Sequence, residues 1–222
     1  MTRSLPCLAL AALALPAFAD MADQRPGAVT AAALSSAITA CSSGEVTPLD
    51  ADARAALLER GGWREVTAAD RGWYIGTYAQ MRAVWEVIDT RNIGNAAAIW
   101  RKYAAGGTIR DLFEAELPQR INYRTDEGAL LAVGASTPLC LVLSSEGEAG
   151  ALIYESLPSK PGLDASLGLE TSRNTGSSPG QAGLYGIQKY DTAALSQLFA
   201  TDFRLTYVFT IVAPKNTATI RN

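Results

Sequence analysis

Leu139-Cys140-Leu141-Val142-Leu143 is the stretch on which the fold turns. A continuous apolar run of this length is typical of a strand. It suits a strand near the middle of a sheet, covered on both faces. Upstream, Gln119 to Thr125 and Ala129 to Gly134 bracket Asp126-Glu127-Gly128, a turn sequence, so a hairpin leads into that strand. Downstream, Glu146-Gly147-Glu148-Ala149-Gly150 reads as a second hairpin loop and Ala151 to Glu155 as the returning strand. Leu184 to Tyr190 is a further strand, and Asp191 caps a short helix through Phe199. Phe203 to Val212 is the longest strand candidate. Residues of about 119–213 therefore predict a mostly antiparallel sheet with one late helix.

The chain before it, about 26–118, reads as helical. Ala31, Leu34, Ile38 and Cys41 recur at the spacing of one helix face, with Gly44 as the breaker. Thr47-Pro48-Leu49-Asp50 has the form of a capping box and predicts a helix ending at Gly61-Gly62. Trp63 to Val66 reads as a short strand. Thr77-Tyr78-Ala79-Gln80 repeats the capping pattern ahead of Met81, Trp85 and Ile88, an aromatic-rich core stripe. Residues 94–105 predict an Ala-rich helix stopped by Gly106-Gly107, and Thr108 to Asp111 opens another that Pro118 ends. The fold class is α+β, N-terminal helices followed by the sheet, in a single domain spanning 20–222. Ser156 to Gly183, half of it Ser, Pro or Gly, reads as a long loop that is either solvated or a recognition loop at the sheet edge.

The first residues have a different character. Arg3, the apolar stretch Leu5 to Ala19 and the closing Ala17-Phe18-Ala19 form the three parts of a secretory signal, cleaved between Ala19 and Asp20. The apolar stretch is short of the roughly 20 residues of a membrane span. Cys7 leaves with the signal. The expectation is a periplasmic or secreted protein with no membrane span in its mature part. Cys41 and Cys140 remain, and in an oxidising compartment such a pair predicts a disulfide.

The chain has no histidine, with 19 Lys and Arg against 22 Asp and Glu for a net charge of −3. Ser-His-Asp and Cys-His mechanisms are thereby excluded, and nothing in the charge balance recruits nucleic acid. Gly176-Ser177-Ser178-Pro179-Gly180 matches G-x-S-x-G in letters, but that elbow needs a strand, a helix and a histidine around it. Asp50, Asp52, Asp111, Glu114, Glu116, Glu146 and Glu148 read as caps, loop decoration and solvated surface, with no metal set among them. Arg101 and Lys102, beside Trp100 and Tyr103, read as the outer face of an amphipathic helix.

Tyr185-Gly186-Ile187-Gln188-Lys189, with Ser172 upstream, resembles the Tyr-x-x-x-Lys pair of short-chain dehydrogenases. The resemblance implies a tyrosine whose pKa the lysine lowers, and a nicotinamide cofactor seated on a Gly-rich turn. No strand, Gly-rich turn and helix lies between Asp20 and Leu131, so no cofactor is expected. Arg173, Asn174, Tyr185 and Lys189 are the candidate binding residues. The function expected is non-catalytic: an exported protein that binds a protein or small-molecule ligand in the cell envelope, or takes part in an envelope assembly. The alternative is a histidine-free hydrolase using paired carboxylates, or a serine with Lys160 or Lys189 as base.

Overall fold

A computed structural model describes residues 25–42, 51–105, 122–133, 139–158, 169–174 and 183–212. The signal region, Thr47 to Asp50, Thr108 to Pro118 and the G-x-S-x-G letters lie outside them. The architecture is α+β. Six α-helices are described, α1 (Ala31–Ser42), α2 (Ala51–Arg60), α3 (Arg71–Thr90), α4 (Ala96–Ala104), α5 (Glu148–Ser156) and α6 (Thr192–Phe199). Seven strands, β1 (Arg64–Glu65), β2 (Asn122–Arg124), β3 (Leu130–Val133), β4 (Leu139–Ser144), β5 (Glu170–Asn174), β6 (Gly183–Tyr190) and β7 (Tyr207–Val212), form one sheet. Their order is β1-β2-β3-β4-β7-β6-β5, every pair antiparallel. The apolar run at Leu139 lands at the centre of that order.

Strand alternation sends successive side chains to opposite faces, and helices cover both. Leu130, Leu143 and Val208 face one way, into a core with Met81 and Val84 of α3, Ile99 and Tyr103 of α4, and Leu195 and Phe199 of α6. Leu131, Val142, Ile187 and Phe209 face the other way, against Ala33, Leu34 and Ala37 of α1, Leu58 of α2 and Tyr154 of α5. On this second face the sulfurs of Cys41 and Cys140 lie at disulfide-bonding distance, with Cα atoms 6.3 Å apart. The buried stripe of α1 is Ala33, Leu34, Ala37, Ala40 and Cys41, turned slightly from the spacing read through Ala31 and Ile38.

Several elements differ from their sequence reading. Thr77 and Gln80 do not open a helix; they lie inside α3, fully packed. The N-terminus is set earlier, at Arg71, just beyond where the Thr67 amide donates to the Asp70 carboxylate at 3.0 Å. Gln80 has a tertiary task instead, its Oε1 accepting from the backbone N–H groups of Arg204 and Leu205, each at 2.9 Å. A capping pattern in sequence cannot exclude such a use, since nothing between Arg71 and Gly76 stops a helix.

The segment read as a hairpin loop and returning strand, 146–155, is instead α5. Ala151-Leu152-Ile153-Tyr154 has strand-like composition, yet its buried residues, Gly150 and Tyr154, are four apart, the helical spacing. The last strand is shorter than its reading: Phe203 to Leu205 precede it, with Phe203 and Leu205 in the core, and Thr206 bonds across to Ser144 and Tyr190. The long loop holds a strand, β5, within it. The late helix stands as read, with the Asp191 carboxylate accepting from the Ala194 N–H at 2.9 Å.

Candidate functional site

A cleft of about 460 Å³ opens at the end of the sheet where β5 starts, β6 ends and α6 begins. It is built by antiparallel register. Glu170 stands opposite Tyr190 and Thr171 opposite Lys189, so four side chains from two strands meet at one corner. Alternation sends Thr171 and Lys189 toward α5, and Glu170 and Tyr190 toward α3. Because the cleft lies at the sheet's end, it sees both pairs. Tyr154 of α5 forms one wall, and Glu146 on the loop before α5 stands at the rim.

On the α5 side the Tyr154 and Thr171 hydroxyls are 2.5 Å apart. The Lys189 ammonium lies 5.6 Å from the Tyr154 ring centroid and 5.7 Å from that of Tyr207, favourable cation–π placements. Lys189 is half-buried, and among the described residues no carboxylate reaches it within ion-pair distance. Burial pushes the Tyr207 phenol up, and Lys189 beside it draws it partly back.

On the α3 side a chain of hydrogen bonds runs into the cleft. Trp85 Nε1 donates to the Tyr190 hydroxyl at 3.0 Å, which donates to Gln188 Oε1 at 3.4 Å. Gln188 Nε2 donates to Glu170 at 3.4 Å. Burial pushes both the Tyr190 phenol and the Glu170 carboxyl up. The negative charge of Asp89 on α3 adds to the shift of Glu170.

The four candidate binding residues separate. Lys189 lines the cleft. Arg173 sits over the Tyr154 ring at 4.4 Å and donates to the carbonyls of Tyr154, Glu155 and Leu157 at 3.2–3.3 Å. It closes the C-terminus of α5, where exposed carbonyls and the helix dipole favour a cation. Asn174 and Tyr185 belong to the other end of the β5–β6 pair, Tyr185 within a register shift between Leu184 and Gly186. The Tyr185-to-Lys189 spacing falls along a strand, so the two Cα atoms are about 13 Å apart instead of one helical turn. Ser172 stands opposite Gln188, on the other face from Lys189.

The basic helix reading at Arg101 and Lys102 agrees with what is seen. Lys102 pairs with Glu86 at 2.8 Å, Tyr103 donates to the same carboxylate, and Trp100 packs near Phe199. Among the described residues no three His, Cys, Asp or Glu side chains converge as a metal site would. No described helix is long and apolar enough to cross a membrane.

Nothing in the sequence pattern marks Tyr154, Glu170 or Thr171 as site residues, and Glu146 reads as loop surface. Finding them required knowing that α5 is a helix and that β5 interrupts the long loop. No protein-family model matches the chain, and neither the curated proteins nor the solved structures contain a match. The class that fold and site define is an α+β domain with a helix-flanked antiparallel sheet and a polar cleft at one end of it.

Proposed function

We propose that this is an exported protein that binds a small polar ligand in the cleft at the β5–β6 end without transforming it. The observation that carries the reading is Lys189: a half-buried ammonium with no described carboxylate partner, in a cleft whose volume is typical of small-ligand sites. Hydroxyls of Tyr154 and Thr171 beside it supply hydrogen bonds that fix an orientation. Export is supported by the signal pattern of residues 1–19 and by the Cys41–Cys140 pair, which suits an oxidising compartment. Native mass spectrometry of the protein taken from its exporting cell should show a chain starting at Asp20 with a small non-covalent adduct. The adduct should be lost from Lys189→Met. A bare mass for both proteins would count against binding, and retention of residues 1–19 would count against cleaved export.

A hydrolytic reading stands second, on one observation. Glu146 and Glu170 line the same cleft, and Glu170 is pushed up as a general acid requires. If it held, Glu170→Gln would abolish turnover of a glycoside panel that the parent hydrolyses. A parent without turnover leaves the binding reading alone.

A further inference from the structure

Building on the reading of the cleft as a binding site, we propose that its ligand is zwitterionic, a free amino acid or short peptide. Its carboxylate would meet Lys189, and its ammonium would meet Glu170 and Glu146. Lys189 is withdrawn from solvent against two phenol rings and has no described counter-charge. A partly desolvated cation is costly until an anion completes it. Thr171 stands directly across the strand pair from it, exposed, with its hydroxyl on that of Tyr154, so both oxygens of a carboxylate would find donors.

The anion cannot be a highly charged one. Glu146, Glu170 and Asp191 line the same cleft, and a phosphate dianion at Lys189 would face all three. Asp191 spends one oxygen on the Ala194 N–H as the cap of α6, which makes Glu146 and Glu170 the freer acceptors. Glu170 is poorly satisfied as it stands. Its one described hydrogen bond, from Gln188, is long at 3.4 Å, and Asp89 of α3 repels it. An ammonium placed there answers both deficits. A ligand of one sign alone leaves half of the cleft worse off, whereas one carrying both complements it.

Isothermal titration calorimetry of the mature protein against the common amino acids and the dipeptide Ala-Ala tests this, each beside its N-acetylated and C-amidated forms. Free zwitterions should bind, and blocking either end should weaken binding at least tenfold. Lys189→Met should weaken binding at least tenfold, while Lys189→Arg retains it. Should Lys189→Met fail to fold, Thr171→Val, at an exposed position, should still weaken binding severalfold. Glu170→Gln should let the N-acetylated form approach the affinity of the free one. Near pH 5, capture of an ammonium by Glu170 should release a proton, seen as a binding heat that changes with the buffer's ionisation enthalpy. Blocked forms binding as well as free ones, or no binding by any zwitterion, would overturn the proposal. A different adduct in native spectra, lost from Lys189→Met, would overturn only the ligand class. No adduct and no binding would sink the cleft reading with it.

Discussion

On the face covered by α1, α2 and α5, the helix against the sheet presents Ala33, Ala37 and Ala40, and Cys41 meets Cys140 at its end. On the opposite face α3, α4 and α6 present Met81, Tyr103 and Phe199, with Gln80 and Trp85 adding hydrogen bonds into the strands. Short side chains let a helix come close but bury little apolar area each. Long and aromatic ones bury about 150–250 Å² apiece for the aromatics and hold by area alone. The first face also buries Trp63, Tyr207 and Phe209, so it is α1 in particular, with its alanines, that leans on the covalent link.

The largest effect that can break this comparison is loss of the link. Its partners are 99 residues apart in sequence. Closing such a loop is worth about 4–5 kcal/mol in the chain-entropy model, and about 2–4 kcal/mol after the usual losses. The Cys41→Ser, Cys140→Ser double variant should lower the urea midpoint accordingly. Amide exchange should accelerate first in α1, while α3 stays protected. Equal acceleration on both faces would mean that they unfold as one unit and that the contrast is not energetic.

A smaller effect probes how tightly α5 sits. A methyl at Gly150 would meet the fully buried Tyr207 ring at 2.7 and 2.9 Å. Gly150→Ala should cost about 1–3 kcal/mol by overpacking. Gly94→Ala, with nothing within 4 Å of the added atom, should leave stability unchanged or slightly raised. Equal melting temperatures for the two variants would show that α5 can lift from the sheet.

On the other face, Asp70 ties the start of α3 to the first two strands. It accepts a two-pronged pair from Arg64 at 2.8 Å and a third bond from Arg124 at 2.7 Å. Arg64's hydrogen bonds hold the Asp70 carboxyl well below its ordinary 3.8, against burial, with the Thr67 amide and Arg124 assisting. A lowered acid pKa stabilises the fold at pH above the ordinary value, and that contribution fades as pH falls below it. Because Arg64 is half-exposed, Asp70→Asn should cost only about 1–3 kcal/mol at neutral pH, and less near pH 2, in a urea titration at each pH.

The smallest effect has the opposite sign. Burial and Asp89 raise Glu170 above its ordinary 4.5, so the folded state is penalised once this carboxyl ionises. Its influence is absent while Glu170 is protonated in both states, and stability is lost as pH rises from 4.5 through the folded value. Glu170→Gln should raise the neutral-pH melting temperature by a few degrees at most and flatten its slope as pH rises above 4.5. With no histidine in the chain to share the titration, a slope as steep in the variant as in the parent would show that Glu170 does not set it.

Much of the architecture was readable from local pattern. The central strand at Leu139, the β2–β3 hairpin around Gly128, the strand Leu184 to Tyr190 and the Asp191-capped helix each depend on apolar runs or turn residues a few positions apart. The pairing of Cys41 with Cys140 was expected from cysteine number and the signal-like start of the chain. Residue types alone also removed whole chemistries, since a histidine-dependent mechanism cannot be assembled from a chain without histidine. Tertiary structure decided the rest. Whether Ala151 to Tyr154 coils or extends was settled by Tyr207 and α1, because a short apolar run satisfies either period until a partner surface selects one. Gln80 went to bridge Arg204 and Leu205, far along the chain, although its local pattern suited a cap. The cleft is the clearest case. Glu146, Tyr154, Thr171 and Lys189 are scattered over more than 40 positions, and only strand register and helix packing bring them to one corner, where charge and burial act on them together.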